Sequence, residues 1–195
     1  MKEDKHIDTR ILRTYELLTE AFFRLADTKS IDSIRISEIC DAAMVHRATF
    51  YNHFNDKDDF INFVIASTLK KTYDKSLKEA ETDDSRSFGE ILLYNLISFA
   101  ELHRSLVLDT TAGNGGLVHD RLYDFFLDQL ASKVVPNIEN LENKQQFESA
   151  FCHYIAGGSL SLIRWWLSGG YDYSTKENLV ERIKLVLNTL LAVDR

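Results

Sequence analysis

Apolar positions recur every three or four residues along nearly the whole chain, and each run ends where glycine, serine or clustered charge intervenes. That spacing marks amphipathic helices, because 3.6 residues per turn bring positions i, i+3, i+4 and i+7 onto one face. Ile11, Tyr15, Leu18, Phe22 and Leu25 predict a first helix over about 8–27. Ile36, Ile39, Cys40 and Ala43 predict a second of about two turns, and Ala43-Met44-Val45 turns the chain into a third that carries Phe50 and Phe54. Two short helices joined by a tight turn and laid on a longer one form a three-helix unit. A long helix then runs from Lys57 to about 80, where ETDDSRS breaks it with charge and serine, a break read as a hinge. Further helices are expected at about 86–104, 105–111, 116–134, 145–168 and 175–193, connected by AGNGG, the region around Pro136, and SGGYDYS. No stretch reads convincingly as a strand, so the expectation is an all-α fold of about nine helices.

The third helix carries unusual chemistry for its length. HRATFYNHFNDKDDF crowds two histidines, an arginine, a threonine, a tyrosine and two asparagines around Phe50 and Phe54. At 100° per residue Phe50 and Phe54 share an inner face with Val45, while Ala48, Tyr51 and Asn52 point away and Arg47, Thr49 and His53 flank them. A small residue, a phenol, an amide and a guanidinium on one exposed face suit a DNA major groove: Arg bonds guanine with two N–H groups, Asn reads adenine, and Tyr and Thr hydroxyls reach phosphate oxygens. On face chemistry alone an ordinary solvated helix surface fits equally well. Asn55 or Asp56 can cap the following helix, which sets Lys57 among free N–H groups where a phosphate could sit.

ISEICDAAMVHRATFYNHFNDKDDF resembles the helix-turn-helix of the TetR family of bacterial transcription regulators, in Ile39, Ala43, Val45, Thr49, Tyr51, Phe54 and Lys57 above all. The strong likeness covers about residues 8–62; the remainder is similar in helical layout and in a tail, GGSLSLIRWWLSGG, that resembles one TetR subgroup. Met44 stands where the family often has a turn glycine, and His46 and Arg35 stand where capping Ser and Thr are common. The resemblance implies a helix-turn-helix DNA-binding domain at 1–57 and an effector-binding and dimerisation domain at 58–195, joined by the helix from Lys57. It implies DNA-facing roles for Arg47, Ala48, Thr49, Tyr51 and His53 and phosphate contacts from Ser37 and Lys57; Arg35 and Asn52 are added from the face chemistry.

Charge changes the picture only when taken by region. The chain of 195 residues has a net charge of −7, which taken whole speaks against nucleic acid, yet residues 1–57 hold 9 Lys and Arg against 10 Asp and Glu. The remaining 14 basic and 20 acidic residues give the second part a net −6, leaving the first electrically free to touch DNA locally. No apolar run reaches the roughly 18–20 residues of a bilayer crossing, and no signal-type segment follows the charged MKEDKHIDTR, so a cytoplasmic protein is expected. Cys40 and Cys152 lie apart in apolar patterns and read as buried thiols.

Other chemistries find no purchase. AGNGG lacks the lysine and Ser/Thr of a phosphate loop and follows no strand. GGSLS is not G-x-S-x-G, and Ser159 has no evident base; its small residues read as permitting close helix approach. The histidines show no H-E-x-x-H and no cysteine pairing, so no metal, no cofactor and no enzymatic activity are expected.

The last two helices carry more apolar surface than one buried stripe needs. Phe147, Phe151, Ile155, Gly158, Leu162 and Trp165 line one, and Ile183, Leu187, Leu190 and Leu191 stand on the other among further aliphatics. The surplus suggests a homodimer with a four-helix interface formed through Phe147, Ile155, Gly158, Leu162, Ile183, Leu187, Leu190 and Leu191, with burial inside one chain as the plain alternative. Two recognition helices set about 34 Å apart would read a palindromic operator. Between hinge and interface, Tyr94, Phe99, His103, Phe126, Phe151, Tyr154, Trp165 and Trp166 are candidates for an effector pocket, against the alternative of a packed core. The acidic second part and its aromatic side chains favour a neutral or cationic, small apolar or aromatic effector. The function expected is a dimeric repressor released from DNA by a small molecule. Its alternatives are a regulator or co-activator controlled by a partner protein, and a helical-bundle enzyme or carrier.

Overall fold

The computed structural model describes residues 9–109, 114–133, 144–169 and 175–192. Among them every regular element is helical: α1 (Thr9–Ala26), a 3-10 turn at Ile31–Ser33, α2 (Ile36–Ala43), α3 (Arg47–Tyr51), α4 (Lys57–Ala80), α5 (Phe88–Leu102), α6 (Arg104–Leu108), α7 (Asn114–Lys133), α8 (Lys144–Leu167) and α9 (Lys176–Ala192). The ends fall within a few residues of those the apolar period predicts. Two residues of the expected AGNGG turn and the regions around Pro136 and SGGYDYS lie outside the described residues, while Asn114, Gly115 and Gly116 open α7.

Local chemistry sets these boundaries. Asp56 caps α4, its carboxylate accepting from the Asp59 N–H at 2.8 Å. Ser87 and Glu90 form a capping box at α5: the Ser87 hydroxyl accepts from the Glu90 N–H, and the Glu90 carboxylate accepts from the Ser87 N–H at 3.0 Å. At α2, where Arg35 has no acceptor to offer, only the reciprocal half exists: Glu38 accepts from the Arg35 N–H at 3.0 Å. The C-terminus of α2 closes in a Schellman turn, with Met44 at φ 54° and the Val45 N–H donating to the Cys40 carbonyl at 2.9 Å. The left-handed region favours glycine, so Met44 is strained there, and its side chain, 91% exposed, gains no packing in return.

One connected apolar core runs from Leu18 on α1 to Ile183 on α9. The spine is α4, which packs on α5 and α7; α1 lies on α2, α7 on α8, and α5 on α9. The buried face of α4 is apolar except at Ser76, which meets the buried Asn95 of α5. The Asn95 amide donates to Ser76 Oγ at 3.0 Å and to Glu79 Oε2 at 2.8 Å, and its oxygen accepts from Lys75 Nζ at 3.1 Å. Each polar atom there is partnered, as burial demands.

The ETDDSRS break, expected as a hinge, is an ordered turn between the packed helices α4 and α5. The Asp83 carboxylate accepts from the Ser85 N–H and hydroxyl and from Arg86 Nε at 2.8 Å, and these bonds hold its pKa down at about 2. Both cysteines are buried thiols as expected, and burial raises the pKa of Cys40. No helix among the described residues is long and apolar enough to cross a membrane.

Candidate nucleic-acid interface

The recognition element is a short helix fixed by rings. Phe50 and Phe54 are buried and meet each other at 5.3 Å between centroids, and Phe60 at the start of α4 approaches them at 5.3 and 5.1 Å. Phe22 of α1 meets Phe60 edge-on at 5.8 Å. With only five residues, α3 could not persist alone; this aromatic cluster holds it.

With the inner face so occupied, Arg47, Ala48, Tyr51 and Asn52 are exposed, while Thr49 is half-buried. His53 is half-buried too and turns toward α1: its Nδ1 lies 3.4 Å from the Tyr15 hydroxyl, and the two rings meet edge-on at 5.2 Å. That contact had no signal in the sequence. Arg35 is exposed and Ser37 half-buried in the first turn of α2. Arg24 ties α1 to the far end of α2, donating to the Ala42 carbonyl at 3.0 Å.

Lys57 stands apart from the others. Its ammonium donates to the carbonyls of Ile31, Asp32 and Ile34 at 3.2, 3.1 and 3.2 Å, which engages three N–H bonds in clamping the segment before α2. The sequence placed Lys57 among free N–H groups where a phosphate could sit; in this structure its ammonium serves three backbone carbonyls.

Residues 18–63 match the family model for bacterial regulatory proteins of the tetR family. The chain carries a TetR-family DNA-binding domain. An uncharacterized HTH-type transcriptional regulator of Bacillus subtilis, YxbF, is 34% identical over 91 residues, covering 41% of this chain and 24% of that protein. An HTH-type transcriptional regulator of Staphylococcus aureus is 27% identical over 124 residues, covering 59% of this chain and 66% of that protein. The matches thus span about a quarter and about two thirds of those relatives. Among solved structures, the fatty acid degradation regulator FadR of Bacillus halodurans has a TM-score of 0.64 at 18% identity, covering 93% of this chain and 96% of that one. The dihydroxyacetone kinase operon activator DhaS has a TM-score of 0.63 at 17% identity, covering 92% and 97%. At those identities the likeness establishes a TetR-like all-α fold.

Behind the TetR-type unit, the expected pocket residues do not converge on one place. Phe126 and Phe151 are buried in the core between α7 and α8. Phe99 and His103 face the DNA-binding unit instead, His103 stacked on Phe23 of α1 at 4.1 Å and Phe99 meeting Phe23 at 6.1 Å. Burial lowers the His103 pKa, against the opposing pull of Asp27. Tyr94 bonds Glu177 at 3.1 Å beneath the ammonium of Lys176, pinning α5 to α9. Trp166 is half-buried against the core, whereas Tyr154 and Trp165, 66% and 46% exposed, point outward.

The outward face of α8 and α9 is also shifted from the expected one. Ile155 and Ile183 are buried inside the chain, and Leu162 and Leu187 are half-buried against its core. Gly158 is exposed, with open space where a Cβ would stand. The side chains of Phe147, Leu190 and Leu191 lie outside the described residues. Among the described residues, the large apolar side chains turned outward are Tyr154 and Trp165 on α8 and Leu185 and Val186 on α9. Gly157, not Gly158, faces the neighbouring helix, where Tyr123 Cε2 is 3.9 Å from its Cβ position. No group of three or more His, Cys, Asp or Glu side chains that could hold a metal occurs among the described residues.

Proposed function

We propose that this protein is a dimeric DNA-binding transcriptional regulator, a repressor whose hold on a palindromic operator is released by a small apolar or aromatic effector. The observation that carries the reading is the recognition helix itself: Phe50 and Phe54 anchor it from within, and Arg47, Ala48, Tyr51 and Asn52 stand free on one exposed face. Those side chains can bond base edges and phosphates at a separation set by a fixed helix.

Dimerisation through α8 and α9 is supported by the exposed Tyr154, Trp165, Leu185 and Val186 on these two neighbouring helices, since clustered exposed apolar side chains mark contact surfaces. Effector control is supported by the same fold in FadR of Bacillus subtilis, solved in complex with stearoyl-CoA, at 12% identity and a TM-score of 0.54. The ligand of that protein does not transfer at such identity; control by some bound small molecule is carried over, as a proposal.

Selection from a random duplex pool, followed by footprinting, tests the reading. The expected result is a protected palindrome with two half-sites about one turn of the duplex apart, lost on adding an effector found by thermal-shift screening. A chain that protects no sequence over random duplex refutes it. A footprint altered only by another protein would replace the effector by a protein partner.

A further inference from the structure

The connection from α1 to α2 contains the 3-10 turn at Ile31–Ser33, whose N-cap residue Ser30 makes no side-chain hydrogen bond to it. The first N–H of such a turn has no acceptor within the turn. Ile31 is buried, so solvent does not serve it either. Its acceptor comes from the other half of the chain: Asp109, at the end of α6, takes the Ile31 N–H on Oδ2 at 2.8 Å across 78 residues. The opposite end of the turn is held by the Lys57 ammonium on the carbonyls of Ile31, Asp32 and Ile34. An anion at the N-terminal end and a cation at the C-terminal end match the polarity of the turn at both ends.

We infer that Asp109 is a positioning residue for DNA reading, a cap supplied by the effector-binding half that fixes where α2 begins; this rests on the DNA-binding function proposed above. The segment it holds leads straight into Arg35 and Ser37, and through α2 to the turn that aims α3. Asp109 is itself placed from behind, because Arg164 of α8 donates to the Val107 carbonyl in the last turn of α6 at 2.8 Å. A side chain of α8 thus reaches the 3-10 turn that precedes α2 through two hydrogen bonds and the short stretch from Val107 to Asp109. That route is separate from the covalent one along α4.

Amide hydrogen exchange and operator titration on the full chain test this together. In Asp109→Ala the Ile31 amide exchanges about 10–100-fold faster, as for loss of a bond to a charged acceptor, while amides in the middle of α7 and α8 keep their protection. Operator affinity falls about 3–10-fold. Asp109→Asn, which keeps an acceptor oxygen, restores both readouts to near the unaltered chain. Unchanged Ile31 exchange in Asp109→Ala overturns the capping role, and lost Ile31 protection with unaltered operator affinity overturns the positioning role. Failure of the functional reading looks different: the unaltered chain then selects no duplex, and the positioning role falls with it.

Discussion

The two halves use aromatic side chains in opposite ways. In the DNA-binding unit, Phe22, Phe50, Phe54 and Phe60 close on one another in a cluster that solvent hardly reaches. In the second half Phe126 and Phe151 are buried, but Tyr154 and Trp165 stand outside, as do Leu185 and Val186 on α9. A small unit that must hold a five-residue helix in a fixed pose closes its phenylalanines on one another and leaves only Tyr51 of that helix's rings outside. The larger body completes its core with aliphatic side chains and turns apolar surface outward, the arrangement expected of a surface that awaits a partner.

The largest effect should come from breaking that outward surface. Leu185→Glu places a carboxylate where the chain itself buries little, so the monomer fold should survive while the proposed dimer fails. Light scattering should report a monomer, with operator affinity down about 100-fold, or about 2.7 kcal/mol. A folded variant that stays dimeric would move the interface off this face.

The next effect falls in the DNA-binding unit. Lys57→Ala strips three carbonyls of their donor and should cost about 1–3 kcal/mol in urea unfolding. Because the ammonium is engaged within the fold, the salt slope of DNA binding should hardly change. A slope reduced by about one ion would instead make Lys57 a phosphate contact in the complex.

Met44→Gly should act in the other direction. Relief of the left-handed methionine should raise stability by about 1 kcal/mol, read from the same unfolding curves, since the exposed side chain contributes no packing. No gain would mean that Met44 makes a contact in the folded state that compensates its backbone.

The smallest effect lies where the halves meet. Burial lowers the His103 pKa below the ordinary imidazole value of 6.5, so the unfolded chain takes up the proton first. The stability tied to the neutral ring is complete above about 6.5 and is lost as pH falls toward the folded value. His103→Phe, which keeps a ring against Phe23, should flatten the stability curve below 6.5; an unchanged curve would place the titration elsewhere.

How much of this was legible in the sequence differs from element to element. The helices and the inward pair Phe50 and Phe54 follow from period alone, because burial and helical spacing select the same residues. Those residues also predict which side of α3 is free. On α8 and α9 the period finds the buried Ile155 and Ile183, while Tyr154, Trp165, Leu185 and Val186 stand exposed on the same helices. Nothing in a one-dimensional pattern separates those two faces. For Lys57, position at a helix start was visible, but the carbonyls that claim its ammonium come from 23 to 26 residues earlier. Tyr15 against His53, and Asp109 under Ile31, are likewise pairings made only by the fold.

The Asn95 network between α4 and α5 has a mechanical meaning. Apolar helix faces can slide along one another at little cost, but directional bonds from one amide to Ser76, Glu79 and Lys75 fix the axial register of the pair at a single level. Ser76 then acts as a fulcrum, and the stretch of α4 back to Lys57 is a lever arm of roughly 28 Å at 1.5 Å per residue. A rotation of about 5° at the fulcrum moves the Lys57 end by roughly 2.5 Å on that arm. A small change at the fulcrum is thereby magnified at the end of α4 that adjoins the TetR-type unit.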